Sequence, residues 1–243
     1  MSITIAHLYY DLLNLYGENG NVKIIKQQLE DQGIKVTVKF LTIDDELKFN
    51  DYDIVYIGMG TEENQLTCLK HLRKYKKDIE EYYNNNKFFL ITGNSIELFG
   101  QNIVDKNGKK HRGVGLFHYE AKQEDFKIVD EALFECPFIK KPILGFQNQR
   151  SVLLGNDHPL FRVIKGTGSY PNSSSEGIQE KNFYGTYLVG PFLIRNPEFT
   201  RYFLRKVISS KNRKYPIKKF NLILENNAYN DFMEKHYKDY IKS

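Results

Sequence analysis

The chain has 243 residues, 41% of them hydrophobic, with 17 Tyr and 17 Phe, enough for one large α/β core rich in aromatic side chains. Its 35 basic and 30 acidic residues leave a formal charge of +5, which marks a mixed solvated surface rather than a nucleic-acid footprint. Cys68 and Cys136 form no metal-like spacing, no run nears the roughly 18 apolar residues of a membrane span, and Met1-Ser-Ile-Thr-Ile enters a strand pattern directly, so a reducing, cytoplasmic setting without metal or cofactor is expected.

Ile3 to Leu8 alternates as a first strand. Gly17-Glu-Asn-Gly20 is a turn, and Val22, Ile24, Ile25 and Leu29 recur at helical spacing between Asn21 and Gln32. Gly33 closes that helix, and Ile34 to Leu41 alternates as a second strand. Asp53 to Ile57 is a short apolar strand of the kind buried on both faces of a parallel sheet. It ends at Gly58-Met59-Gly60, and one long helix is expected from about Glu62 to Tyr83. Asp105-Lys-Asn-Gly108 is a hairpin turn, and Gly113 to Gly168 reads as short strands without a helix. Ser169 to Glu176 is a polar, mobile loop on this reading. Asn182 to Val189 is a strand, Asn196 and Pro197 open a helix as N-cap and first turn, and a last helix is expected from about Asn227 to Lys242. The basic cluster from Lys206 to Lys219 carries no nucleic-acid motif and reads as a solvated helix end and loop.

The most informative segment is Lys87 to Ser95, an apolar strand running into a tight turn and a short helix. Hydrolytic α/β folds place a nucleophile on such a corner, beside helix N-terminal amides. Here the corner residue is Gly93, which has no side chain to attack with.

Four segments then occur in order: Leu12 to Asn21, Asp53 to Gln65, Gly113 to Phe117, and Gly185 to Pro191. Together they resemble the class I glutamine amidotransferases of the cobyric acid synthase type, and within them the GatD-type glutaminase subunits of lipid II isoglutaminyl synthase. The resemblance spans roughly the first 210 residues. It implies a flavodoxin-like, doubly wound, mostly parallel sheet with flanking helices and an added short-strand region. The domain expected is 1–210, with 211–243 as a C-terminal helical extension packed on it.

The resemblance also implies a two-subunit machine. A glutaminase hydrolyses glutamine and passes ammonia to a Mur-ligase-like (MurT-type) partner, which uses ATP to amidate the D-glutamate of lipid II. That chemistry needs a thiolate, a histidine that shuttles its proton, oxyanion amides and a cation for the substrate carboxylate. The family's cysteine position is Gly93 here and its catalytic histidine position is Val189. A second family motif, Glu-Asn-His-Gly-Gly, reads Gln147-Asn-Gln-Arg-Ser151. What remains is an oxyanion and substrate set of Gly58, Met59, Gly60, Asn94 and Lys127, the last standing where the family has an arginine.

Replacements are few. Thr92 reads as a buried strand residue, Ser95 as a helix cap, Cys68 and Cys136 as packing, and Glu97 and Glu120 as ordinary polar positions. His71 and His118 carry no positional signal. Loss of either member of a nucleophile–base pair costs on the order of 10⁶ in kcat in a protease precedent, so glutaminase activity is expected to be absent. The readings carried forward are a non-catalytic subunit of a Mur-ligase-like partner, a protein that binds glutamine or a related amide, and an enzyme with a rebuilt site.

Overall fold

The structure, a computed structural model, describes residues 1–240. It opens with β1 (Ser2–Leu8) and α1 (Asn19–Asp31), whose Val22, Ile25 and Leu29 are buried, and turns at Gly33 with φ +80°. β2 (Lys35–Leu41) and the fully buried β3 (Ile54–Ile57) follow. Next come α2 (Glu62–Leu72), whose first turn is capped by the Thr61 hydroxyl accepting from the Asn64 N–H, then α3 (Lys76–Asn84) and β4 (Phe88–Thr92).

The single long helix expected from Glu62 to Tyr83 is therefore two. A tight 3-10 turn at Arg73–Tyr75 redirects the chain, so that Leu69 and Leu72 of α2 and Ile79 and Tyr82 of α3 reach one core.

The middle of the chain forms β5 (Asn102–Val104), β6 (Lys110–Arg112), β7 (Glu120–Glu135), β8 (Ile143–Leu154), β9 (Phe161–Lys165) and β10 (Ser175–Glu176). Asp105 closes the expected hairpin, its carboxylate accepting from the N–H groups of Asn107 and Lys109. β7 and β8 are long, 16 and 12 residues, rather than the short strands expected. Their pairing shifts register between Gln123 and Ile128, and that bulge breaks the alternation that would mark a continuous strand. The Ser169–Glu176 stretch is not a free loop either. Ser169 and Ser173 are buried, and the Glu176 carboxylate accepts from the Thr186 hydroxyl and the Tyr187 N–H, both at 2.7 Å.

β11 (Ile178–Glu180), β12 (Phe183–Thr186), α4 (Phe192–Arg195), α5 (Pro197–Lys211) and α6 (Ile223–His236) complete the described chain. The main sheet runs β11-β12-β4-β3-β1-β2, parallel throughout except for β11. This is a doubly wound α/β sheet with the Gly93 corner at the carboxyl end of β4, as the sequence implied. The second sheet, β10-β9-β7-β5-β6 with β8 on β7, packs its aromatic and aliphatic residues into the same cores.

Asn196 does stand at the α5 N-cap, but its amide makes other bonds. It accepts from the Leu144 N–H at 2.8 Å and donates to the Leu144 and Phe192 carbonyls, tying the helix to β8. α6 begins earlier than the sequence suggests and sets Tyr229, Met233 and Tyr237 against Leu133 and Leu144. The last residues of the expected helix lie outside the described residues. No described helix is long and apolar enough to cross a membrane.

Candidate functional site

β4 is apolar because it is central in the sheet, and it delivers the chain into a sharp corner at its carboxyl end. Gly93 adopts φ +63°, the left-handed conformation that glycine takes without a Cβ penalty. The 3-10 segment Gly93–Phe99 that follows is buried throughout. A strained corner of this kind suits a reactive side chain. Here the space outside the corner is already filled. A Cβ placed on Gly93 would lie 2.4 Å from the Met59 Cβ and 2.7 Å from its Cγ. Met59 is itself only 8% exposed, so the thioether acts as a plug.

Asn94, the next residue, closes the glycine loop from the other side. Its Oδ1 accepts from the Gly60 N–H at 3.2 Å and its Nδ2 donates to the Gly60 carbonyl at 2.9 Å. The Gly60 amide, expected as an oxyanion donor, is thus committed to a side chain of the protein. Gly60 cannot carry a side chain, since a Cβ would lie 2.4 Å from Leu13 Cδ2 and 2.7 Å from the Leu12 carbonyl. Ser95 does not cap a helix as its sequence position suggests. Its hydroxyl donates to the Gly58 carbonyl, locking the corner onto the same loop.

Val189 is buried at the end of the β12 connection, where its N–H donates to the Phe146 carbonyl at 2.9 Å. A single carboxylate relates it to the corner. Glu18 accepts from the Thr92 hydroxyl, from Tyr56 at 2.8 Å and from the Gly190 N–H at 3.0 Å. Thr92 immediately precedes Gly93 and Gly190 immediately follows Val189, so both positions adjoin one buried acid. Burial pushes the Glu18 carboxyl above the usual range, against the hydrogen bonds from Thr92, Tyr56 and Gly190 that favour its charged form. Residues 93 and 189, expected to stand at the motif's thiol and imidazole positions, thus each lie next to a residue bonded to the same carboxylate.

A second carboxylate lies just behind. Glu97 is pushed up to about 7 by burial, countered by hydrogen bonds from Gln65, Ser151 and Tyr187. Gln65 bridges the Asn94 carbonyl at 2.6 Å and Glu97 at 2.9 Å, while Tyr187 donates to Glu97 at 3.2 Å. Glu97 is thus a buried structural acid rather than an ordinary polar position. Glu176 is likewise pushed up to about 7 by burial. Neither acid bonds a thiol or an imidazole among the described residues. A glutamate ordinarily points to water, so no local sequence signal marks Glu18, Glu97 and Glu176 for burial.

The remaining candidates are dispersed. Cys68 lies inside α2 with its thiol pushed up to about 12 by burial, and burial pushes Cys136 up to about 11, so neither thiolate forms readily at neutral pH. His71 is buried against Tyr9, whose hydroxyl is 3.0 Å from Nδ1, and His118 is exposed. Gln149, where the second family motif has its histidine, is buried and donates to the Ser151 and Ser169 carbonyls. Lys127 is exposed in the β7 bulge and makes no hydrogen bond or ion pair with the corner among the described residues.

The CobB/CobQ-like glutamine amidotransferase domain matches residues 4–197, which hold the corner, the Gly58–Gly60 loop and Val189. The chain belongs to this family. It is 32% identical over 216 residues to the lipid II isoglutaminyl synthase (glutamine-hydrolyzing) subunit GatD of Streptococcus pneumoniae, covering 88% of this chain and 82% of that protein. It is 29% identical to the GatD subunit of Staphylococcus aureus strain N315, covering 86% of each. A probable cobyric acid synthase of Methanosphaera stadtmanae is 28% identical over 196 residues, with 74% of this chain and 38% of that protein covered. Among solved structures, a glutamine amidotransferase superposes with a TM-score of 0.54 at 15% identity, covering 83% of this chain and 98% of that one, which supports the fold alone. As a family member the chain is a GatD-like homologue, and its sheet and corner are those of the amidotransferase fold.

Proposed function

We propose that this protein is a catalytically silent GatD-like subunit, active as a structural or regulatory component of a Mur-ligase-like (MurT-type) partner in the cytoplasm. One observation carries the reading: Met59 occupies the space into which a nucleophile at position 93 would project. A site that had merely lost its cysteine would leave a hole. This one is packed with a thioether, its Gly60 amide is bonded to Asn94, and its base position holds an isopropyl group. The loss is compensated by packing, as a selected interior is, and no step of thiol-dependent amide hydrolysis has a residue to perform it.

In this reading the partner's amidation draws on free ammonia, while the emptied subunit holds the partner in its working shape. Homology to proteins named as subunits supports the existence of a partner.

The test is reconstitution with the Mur-ligase-like protein from the same cells, supplied with ATP, lipid II and either ¹⁵N-ammonium or amide-¹⁵N-glutamine. The expected result is a stable complex that incorporates label from ammonium and none from glutamine. Failure of the two proteins to associate overturns the scaffold role. Label arriving from glutamine overturns the silent site, and reveals a rebuilt enzyme instead.

A further inference from the structure

The main sheet has two edges, and they are treated differently. At one end β11 is three residues long, a short edge of the kind that discourages pairing. At the other end β2 presents seven residues, paired to β1 in register from Ser2↔Lys35 to Leu8↔Leu41 and to no other strand among the described residues. It contains no proline and no bulge, so its outer backbone groups form a regular row.

Next to that edge lies a pocket of about 250 Å³ between β2 and α1, lined by Asn19, Val22, Lys23, Lys26, Val38 and Phe40. Phe40 is 54% exposed, yet its ring is fixed edge-on against Tyr10 at 5.3 Å and tilted on His7 at 5.8 Å. The polar groups around it are unfinished. The Asn19 Oδ1 and both ring nitrogens of His7 are buried without a hydrogen-bond partner among the described residues. Lysines surround the row. Lys23 and Lys26 line the pocket, and Lys35 and Lys39 lie on the strand; the ion pairs they make among the described residues are Lys26 with Glu30 at 3.8 Å and Lys39 with Asp51 at 3.3 Å.

We propose that the free edge of β2 docks an extended acidic segment of a partner protein by strand addition, with one apolar side chain of that segment entering the α1–β2 pocket. Main-chain pairing gives such a complex its affinity, and the alternate side chains give specificity. The lysines choose the partner. A second copy of this strand would bring Lys35 and Lys39 against their own like charges, whereas alternating carboxylates meet complementary ones. Phe40 supplies a rigid aromatic anchor at the centre. This surface is separate from the Gly93 corner, and the inference stands whether or not that corner is silent.

The test titrates the full-length, ¹⁵N-labelled protein with two synthetic peptides, acetyl-Glu-Val-Glu-Leu-Glu-Val-Glu-amide and its counterpart with every Glu replaced by Lys. The acidic peptide is expected to bind roughly tenfold tighter or better, more weakly as salt is raised, with shifts concentrated in β2 and α1. The paired variant Lys35→Glu with Lys39→Glu should reverse the preference, and Phe40→Ala should weaken binding roughly fivefold or more. Absence of binding by the acidic peptide, equal binding of the two, or shifts centred elsewhere overturns the inference. Concentration-dependent dimerisation abolished by Phe40→Glu also overturns it, because the edge would then belong to a second copy.

Discussion

The corner at Gly93 and the acid shell behind it differ in what they have kept. The corner has the left-handed φ of Gly93, and what surrounds it is hydrocarbon, a thioether and a hydrogen-bonded amide. The shell retains its polarity in full: Glu18, Glu97 and Glu176 are buried, and each accepts at least two hydrogen bonds from the chain. Chemistry and architecture therefore separate in this protein. The acids tie strand ends, glycine loop and connection together, and unpairing the buried donors they serve is expensive.

The largest expected effect comes from breaking the shell. Glu18→Ala leaves the Gly190 N–H without its acceptor and takes one from the Tyr56 and Thr92 hydroxyls, which keep each other at 3.0 Å, and should cost about 4 kcal/mol in denaturant unfolding. Glu18→Gln, which keeps an acceptor, should cost far less. If the two variants unfold alike, the carboxylate is not the tie described here.

At the corner the expected cost is about 3 kcal/mol for Gly93→Ala, from the left-handed φ and the 2.4 Å approach to Met59 combined. Met59→Gly in the same chain should recover part of it. This coupling also governs any attempt to rebuild the site. Gly93→Cys with Val189→His leaves the thiol boxed in by Met59, and only the triple variant with Met59→Gly should react rapidly with iodoacetamide. Equal alkylation of the double and triple variants would remove Met59 from its role as plug.

A smaller effect is expected from pH. Burial raises Glu97 and Glu176 from an ordinary 4.5 to about 7, so the folded protein holds protons there that the unfolded chain releases. Their contribution is complete below pH 4.5 and declines as pH rises to about 7. His7 acts in the opposite sense, because burial lowers it from 6.5 to about 4 and its contribution is lost on acidification. Comparing wild type with Glu97→Gln/Glu176→Gln isolates the two acids. The wild-type Tm should fall by several degrees more than the variant's between pH 5 and pH 8. Parallel curves would mean that these carboxyls are not held protonated.

The smallest effect is expected at Ser95. Removing its hydroxyl from the Gly58 carbonyl in Ser95→Ala should cost about 1 kcal/mol, without exposing the corner.

Much of this was legible in the chain itself. The apolar run before Gly93, the turn at Gly33 and the short buried strand at Ile54–Ile57 each follow from local pattern, and they place the crevice at the strand ends. The assignment of Gly93 and Val189 to the thiol and imidazole positions rests on the motifs on both sides, which fix their spacing. The long β7–β8 ribbon was not, because its bulge erases the period that would have announced it. Nor was the break between α2 and α3, where tertiary packing rather than a proline or glycine bends the chain. Met59 was readable as the middle of a glycine loop, but its pointing at Gly93 is a fact of two loops meeting. The burial of Glu18, Glu97 and Glu176 is likewise tertiary, since carboxylates ordinarily face solvent.

The most direct measurement of the central claim is glutamate release from millimolar glutamine by the pure protein, alone and in complex with its Mur-ligase-like partner. Release indistinguishable from the protein-free blank in both cases is the predicted result. Turnover that scales with protein concentration, and persists after Cys68 and Cys136 are replaced by Ala, would show that the crevice still cuts amides and that the plug at Met59 does not close it.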